Sequence, residues 1–163
     1  MQLSIIIPAK NEAASIGEVV GRIRSDFPKV EIIVVDDGST DRTAALAAER
    51  GAKVASHPQS LGNGAAVKAG ARAASGEILV FLDADGQHDP ADIPRLLEKL
   101  DEGYDMVVGA RSSSSHANTA RLAANGIYNV IASMGTGHRI PDLTSGFRAV
   151  KADLFPKFVL PLG

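Results

Sequence analysis

Four short apolar runs, at residues 3–7, 30–35, 78–82 and 106–108, each stop at a Pro, Gly or Asp. Runs of this length, rich in Ile and Val and bounded by turn residues, predict strands buried on both faces. Between them lie helical patterns at residues 13–24, 43–50, 65–74 and 92–100, the last three followed by Gly51, Gly76 and Gly103. Glycine just past the last turn is a helix stop. Asp89-Pro90 predicts a capped start for the fourth helix, with Asp92 in its first turn beside the positive end of the helix dipole. Strands alternating with helices imply a mostly parallel α/β sheet with helices on both faces. At 163 residues and 45% apolar content, one core and one domain over residues 1–163 are expected.

The formal charge of -2 argues against nucleic acid as a partner. Cysteine is absent, so disulfides, zinc–thiolate sites and cysteine nucleophiles are excluded, and any metal must be held by oxygen or imidazole. The amino terminus reads as a first strand rather than a secretory leader. No apolar stretch approaches the ~18 residues of a bilayer span. A cytoplasmic protein is expected, with peripheral association at the membrane face left open.

In open parallel sheets, ligands bind outside the carboxyl ends of the strands. The residues after each apolar run therefore matter most: Pro8 to Glu12, Asp36 to Ser39, Asp83 to Gln87, and Gly109 to Arg111. Asp83 and Asp85 flank one small residue, and extended geometry would point both side chains the same way. Two carboxylates can share one Mg²⁺ or Mn²⁺, whose remaining positions substrate phosphates fill, and Gln87 could add a neutral oxygen. A solvated turn with an aspartate cap is the competing reading. Asp36 and Asp37 repel each other unless a cation or donors compensate; they could hold a base or ribose, while Ser39 or Asp41 caps the next helix.

The segment from Gly62 to Val67 is a near-miss for a dinucleotide fingerprint, with no clear strand directly before it, and reads better as a helix start. His57, His116 and His138 receive no role, and His88 is only a minor candidate ligand. A serine run at residues 112–115 reads as a loop over the site, followed by a helix over about residues 119–134.

In order along the chain, Ile5-Ile6-Ile7-Pro8-Ala9-Lys10-Asn11-Glu12, Val34-Val35-Asp36-Asp37-Gly38-Ser39, Phe81-Leu82-Asp83-Ala84-Asp85-Gly86-Gln87 and Asp142-Leu143-Thr144-Ser145-Gly146-Phe147-Arg148 resemble family-two glycosyltransferases. The branch they are most similar to is the polyprenyl-phosphate sugar synthases of the dolichyl-phosphate mannose synthase type. The resemblance implies a Rossmann-like GT-A fold and metal-dependent, inverting transfer of a hexose. The donor would be a nucleoside-diphosphate sugar of the GDP-mannose or UDP-glucose type, and the acceptor a polyprenyl phosphate.

By motif, it implies that Pro8, Lys10, Glu12, Val35 and Asp37 line the nucleoside pocket, with Lys10 standing where tyrosine is common. It implies that Asp83, Ala84 and Asp85 face the nucleotide sugar and that Asp83, Asp85 and Gln87 hold the cation. Arg111 would contact the departing diphosphate, and Arg121, Ser145 and Arg148 an acceptor phosphate, where the guanidinium fork suits phosphate oxygens. Asp142 is the candidate base or acceptor-positioning residue, unless it caps the following turn. Related domains continue beyond the point where this chain stops, so a longer protein is expected.

A saccharide hydroxyl acceptor and a nucleotide-sugar binding module without turnover remain alternatives. A phosphoacceptor receiver domain is more remote, because Arg111 occupies the place where a receiver needs lysine.

Overall fold

The computed structural model describes residues 2–109 and 146–155. Among them the chain runs β1 (Leu3–Ala9), α1 (Ile16–Asp26), β2 (Glu31–Asp36), α2 (Thr43–Glu49), β3 (Lys53–Ser56), α3 (Asn63–Ala73), β4 (Ile78–Phe81), α4 (Ile93–Asp101), β5 (Met106–Val108) and β6 (Arg148–Lys151). A 3₁₀ turn, Pro90–Asp92, leads into α4, and the Asp89 side chain accepts the Ala91 amide at its start. The strands form one sheet in the order β3-β2-β1-β4-β6-β5. β1, β2, β3 and β4 pair in parallel, while β6 runs antiparallel to both β4 and β5.

Alternation along each strand divides the core in two. Ile5, Ile7, Ile32, Val34 and Val80 pack with Val20 and Ile23 of α1, Ala47 of α2 and Leu96 of α4. Ile6, Ile33, Val35, Leu79 and Phe81 face the other way, toward Ala66 of α3. Burial on both faces is why these strands read as continuous apolar runs rather than alternating ones. The α/β fold with a largely parallel sheet and helices on both faces is thus as expected.

The fourth parallel strand, β3, escaped the sequence reading. It is short, lies at the sheet edge, and has Lys53 and Ser56 exposed with Val54 and Ala55 only half-buried, so it carries no buried run to recognise. It ends at Ser56, and residues 57–61 separate it from Gly62, so no strand lies directly before the Gly62 segment. The expected loop at residues 112–115 and helix near residues 119–134 lie outside the described residues.

α3 approaches the sheet through a bare glycine. A Cβ on Gly70 would collide with the Ile6 side chain and lie 3.0 Å from Val35 Cγ2. At the amino-terminal edge, Glu31 joins three strands. Its carboxylate accepts from Lys53 Nζ at 2.6 Å, from the Ser75 amide and hydroxyl at 2.8 and 3.0 Å, and from Ser4 Oγ. Burial opposes ionisation of Glu31, but the Lys53, Ser4 and Ser75 bonds prevail and lower its pKa to about 2.

Candidate functional site

The sheet order places β1 between β2 and β4, and the chain leaves β1 toward β2 before returning to β4. In such sheets ligands bind at a strand-order reversal, outside the carboxyl ends of the strands, here those of β1 and β4. Two of the polar clusters flank it. Pro8 and Ala9 end β1, and the Leu82 amide, which donates to Ile6 O at 3.0 Å, leads from β4 into Asp83. Residues 109 and 146–147 reach the same edge, because Val108 and Phe81 both register with Arg148 and the Gly109 amide donates to Phe147 O at 2.8 Å.

The rim beside β1 and β2 is locked by crossing hydrogen bonds. The Asn11 amide donates to Ser39 Oγ at 2.9 Å while Asn11 Oδ1 accepts the Thr40 amide at 2.8 Å. The Glu12 amide donates to Thr43 Oγ1 at 2.8 Å, and the Ala13 amide to Asp41 Oδ2 at 3.1 Å. Asn11 holds φ 54°, a left-handed conformation that asparagine tolerates better than most side chains. Asp41 takes the Thr43 amide at 2.9 Å, so Asp41 rather than Ser39 serves the start of α2. The Thr43 hydroxyl and amides lower the pKa of Asp41.

Asp36 and Asp37 are both buried, and separate donors resolve their repulsion. Asp36 Oδ1 accepts the Ser39 amide at 3.2 Å. Asp37 accepts four bonds from residues beyond β3: His57 Nδ1 at 2.8 Å, Ser60 Oγ at 2.7 Å, and the Leu61 and Gly62 amides at 2.8 and 2.9 Å. Burial favours the neutral acid, yet these donors, His57 foremost, outweigh it and hold the Asp37 carboxyl well below the usual range. The ionised carboxylate is acceptor-only, so His57 Nδ1 carries the proton. The same segment closes on Gly38, whose φ is +67° and whose added Cβ would lie 2.7 Å from Gln59 C and Ser60 N.

Of the sequence-predicted nucleoside residues, Lys10 is exposed and Pro8 and Glu12 are half-buried. Glu12 Oε2 accepts the Ser15 hydroxyl at 3.0 Å at the start of α1. Val35 registers with Pro8, but its side chain is wholly buried in the core on the α3 side, beside Gly70. The Asp37 carboxylate is turned to the segment 57–62.

β4 ends at Phe81, and Ala84 and Asp85 form a turn with Gly86 at φ +75°. The directions of Asp83 and Asp85 are therefore set by this turn, and the extended-strand argument for them does not hold. Asp83 is half-buried, Ala84 buried and Asp85 exposed. The Asp83 carboxylate occupies the space that a Cβ on Gly146 would fill. Asp85 Oδ1 accepts the Gln87 amide at 3.0 Å, the turn-capping bond that the competing reading expected, while the Gln87 side chain is at the exposed surface.

The buried His88 ring stacks on Phe147 at 5.1 Å. The Arg148 guanidinium lies 5.8 Å from the centre of the Phe81 ring, which itself stacks on Phe155. Arg111, Arg121, Asp142 and Ser145 lie outside the described residues.

Among the described residues, no group of three or more His, Asp or Glu forms a metal cluster. Asp83 and Asp85 offer a smaller donor set of hard carboxylate oxygens. Carboxylate oxygens are the donor type that Mg²⁺ or Mn²⁺ takes jointly with substrate phosphates, in place of a dedicated all-protein cage. Among the described residues, no helix is long and apolar enough to cross a membrane. A cavity of about 730 Å³ opens at the opposite, amino-terminal edge of the sheet. Three of its charged groups are engaged with the protein itself: Arg24 donates to the Pro28, Val30 and Gly51 carbonyls, and Glu31 binds Lys53.

Sequence reasoning passed over His57, Ser60 and Gly146. Only Gly146 lay within a recognised motif. The partners of His57 and Ser60 depend on β3, the strand that left no run.

The sequence profile of glycosyl transferase family 2 matches residues 4–158. The polyprenol monophosphomannose synthase of Mycolicibacterium smegmatis is 34% identical over 96% of this chain and 64% of that enzyme. The undecaprenyl-phosphate 4-deoxy-4-formamido-L-arabinose transferase of Salmonella paratyphi B is 34% identical over 92% of this chain and 49% of its own length. Among solved structures, glucosyl-3-phosphoglycerate synthase from Mycobacterium tuberculosis, in complex with Mn²⁺ and UDP-glucose, superposes with a TM-score of 0.75. It is 32% identical over 94% of this chain and 57% of that one. The chain thus spans about half to two thirds of the length of these relatives.

Proposed function

Because the chain belongs to glycosyl transferase family 2, we propose that it is the donor-binding part of a metal-dependent, inverting hexosyltransferase. It uses a nucleoside-diphosphate sugar of the UDP-glucose or GDP-mannose type and a polyprenyl phosphate acceptor at the membrane surface. One observation carries this reading: the strand-order reversal between β1 and β4 is flanked by the Pro8 to Glu12 segment on one side and Asp83 to Gln87 on the other. Two relatives act on polyprenyl phosphates by name, and a structural neighbour binds UDP-glucose and Mn²⁺.

Pro8, Lys10 and Glu12 border the nucleoside, and the rim locked by Asn11 keeps their backbone in one shape. Asp83 and Asp85, with Gln87 beside them, hold Mg²⁺ or Mn²⁺, which neutralises charge on the diphosphate leaving group. Arg111 adds positive charge on the same group, and Arg148, Arg121 and Ser145 receive the acceptor phosphate. In the transfer, a phosphate oxygen of the acceptor bonds to the anomeric carbon as the bond from that carbon to the diphosphate oxygen breaks. The nucleoside diphosphate carries the electron pair away. With a second pKa of about 6, the acceptor is already largely ionised at neutral pH and needs little help from a base. Asp142 is required as base only for a hydroxyl acceptor.

The test is calorimetric binding of UDP- and GDP-sugars with Mn²⁺ or Mg²⁺, paired with a transfer assay on polyprenyl phosphate and on 3-phosphoglycerate. Metal-dependent binding with transfer to the lipid supports the reading. Transfer to 3-phosphoglycerate alone reassigns the acceptor, binding without transfer leaves a nucleotide-sugar module, and absence of binding overturns it.

A further inference from the structure

Three loops meet at the carboxyl edge of the sheet, and the 57–62 segment has no part in the proposed chemistry. It is nonetheless held as firmly as the two that do. The His57 amide extends the β2–β3 ladder to Asp36 O at 2.9 Å, and its ring reaches back to Asp37 Oδ1 at 2.8 Å. Both groups are largely buried, with side-chain exposures of 15% and 6%. Ser60, Leu61 and Gly62 complete the shell of that carboxylate, and Gly62, at φ +91°, is the residue from which α3 starts. Asp37 is in turn tied to β1, its amide donating to Ala9 O at 2.9 Å. A continuous set of bonds therefore runs from β1, through Asp37, to the first turn of α3.

We propose that His57 is a positioning residue for the donor: through Asp37 it sets the height of the 59–62 segment and the start of α3 against the nucleoside rim. This rests on the proposed donor site. Four donors hold the Asp37 carboxylate in one orientation, and the bond from His57 comes from the residue directly after β3, ahead of the 59–62 segment it organises. Removing His57 leaves one Asp37 oxygen short of a donor in a buried setting, where water re-entry would loosen the Leu61 and Gly62 amides.

The measurement is donor affinity and the split between donor KM and kcat for His57→Ala and His57→Asn in the full chain. The asparagine amide retains an N–H for Asp37. His57→Ala is expected to weaken donor binding about tenfold and to raise donor KM with kcat little changed. His57→Asn should restore most of the affinity, a rescue that loss of packing alone would not produce. If His57→Ala does not fold, Ser60→Ala removes another donor from the same carboxylate at an exposed residue. Donor affinity within twofold of wild type in His57→Ala, or in Ser60→Ala as its substitute, overturns the proposal. A wild-type chain that binds no nucleotide sugar overturns the functional reading instead.

Discussion

The Asp83 carboxylate rests against the bare Cα of Gly146, in the volume that any β-carbon there would occupy. The two residues are far apart in sequence and come together because β6 returns antiparallel beside β4, with Phe81 opposite Arg148. Space alone calls for glycine at this position, because a β-carbon would overlap both Asp83 carboxylate oxygens.

Gly146→Ala should therefore act on Asp83 and not on the fold. Displacing a catalytic-site carboxylate by about an ångström costs on the order of 10²-fold in rate. Transfer is expected to drop by about that factor with the thermal midpoint nearly unchanged. Mn²⁺ titrations in the presence of a nucleoside diphosphate would check it: unaltered metal dependence would show that the contact with Asp83 has no functional consequence.

Asp85→Ala tests the other carboxylate. Asp85 is exposed, so its loss should change stability by no more than roughly 1 kcal/mol, while the Mn²⁺-dependent part of donor binding disappears. Calorimetry with and without the metal separates the two effects. Equal donor affinity in mutant and wild type would refute the metal role assigned to Asp85.

Glu31 predicts an acid-sensitive clamp far from the site. Its folded pKa of about 2 lies below the ordinary 4.5, so its ionised form stabilises the fold. That contribution is complete above the ordinary value and disappears as pH falls through the folded one. Glu31→Gln should cost on the order of 2 kcal/mol at neutral pH. The difference from wild type should shrink between pH 4.5 and 2. Urea melts across that range would contradict the assignment if the gap stayed constant.

Gly70→Ala sets two effects of opposite sign against each other. Alanine gains about 1 kcal/mol of helix propensity over glycine, but its methyl meets Ile6 and Val35, and overpacking costs typically 1–3 kcal/mol. The collision involves branched side chains locked in the sheet, so net destabilisation is expected. A urea midpoint at or above wild type would mean that α3 moves away freely.

Much of this architecture could be read from order alone. Strands buried on both faces need runs dominated by apolar residues, and residues 3–7, 30–35 and 78–82 supply them, broken only by Ser4 and Glu31. The turn residues behind those runs then mark the carboxyl edge of the sheet, where the fold brings Pro8 to Glu12 beside Asp83 to Gln87. β3 could not be read this way, because an edge strand half open to solvent satisfies its backbone without an apolar run. The missed strand also concealed the pairing of His57 with Asp37.

Local pattern thus settled which segments are strands and which polar clusters follow them, since period and turn chemistry are properties of a few neighbouring residues. The direction and company of each functional side chain were decided elsewhere. Asp37 turns toward His57, Val35 sinks beside Gly70, and Asp83 settles against Gly146, because each of these contacts joins strands or loops that only the folded sheet makes adjacent.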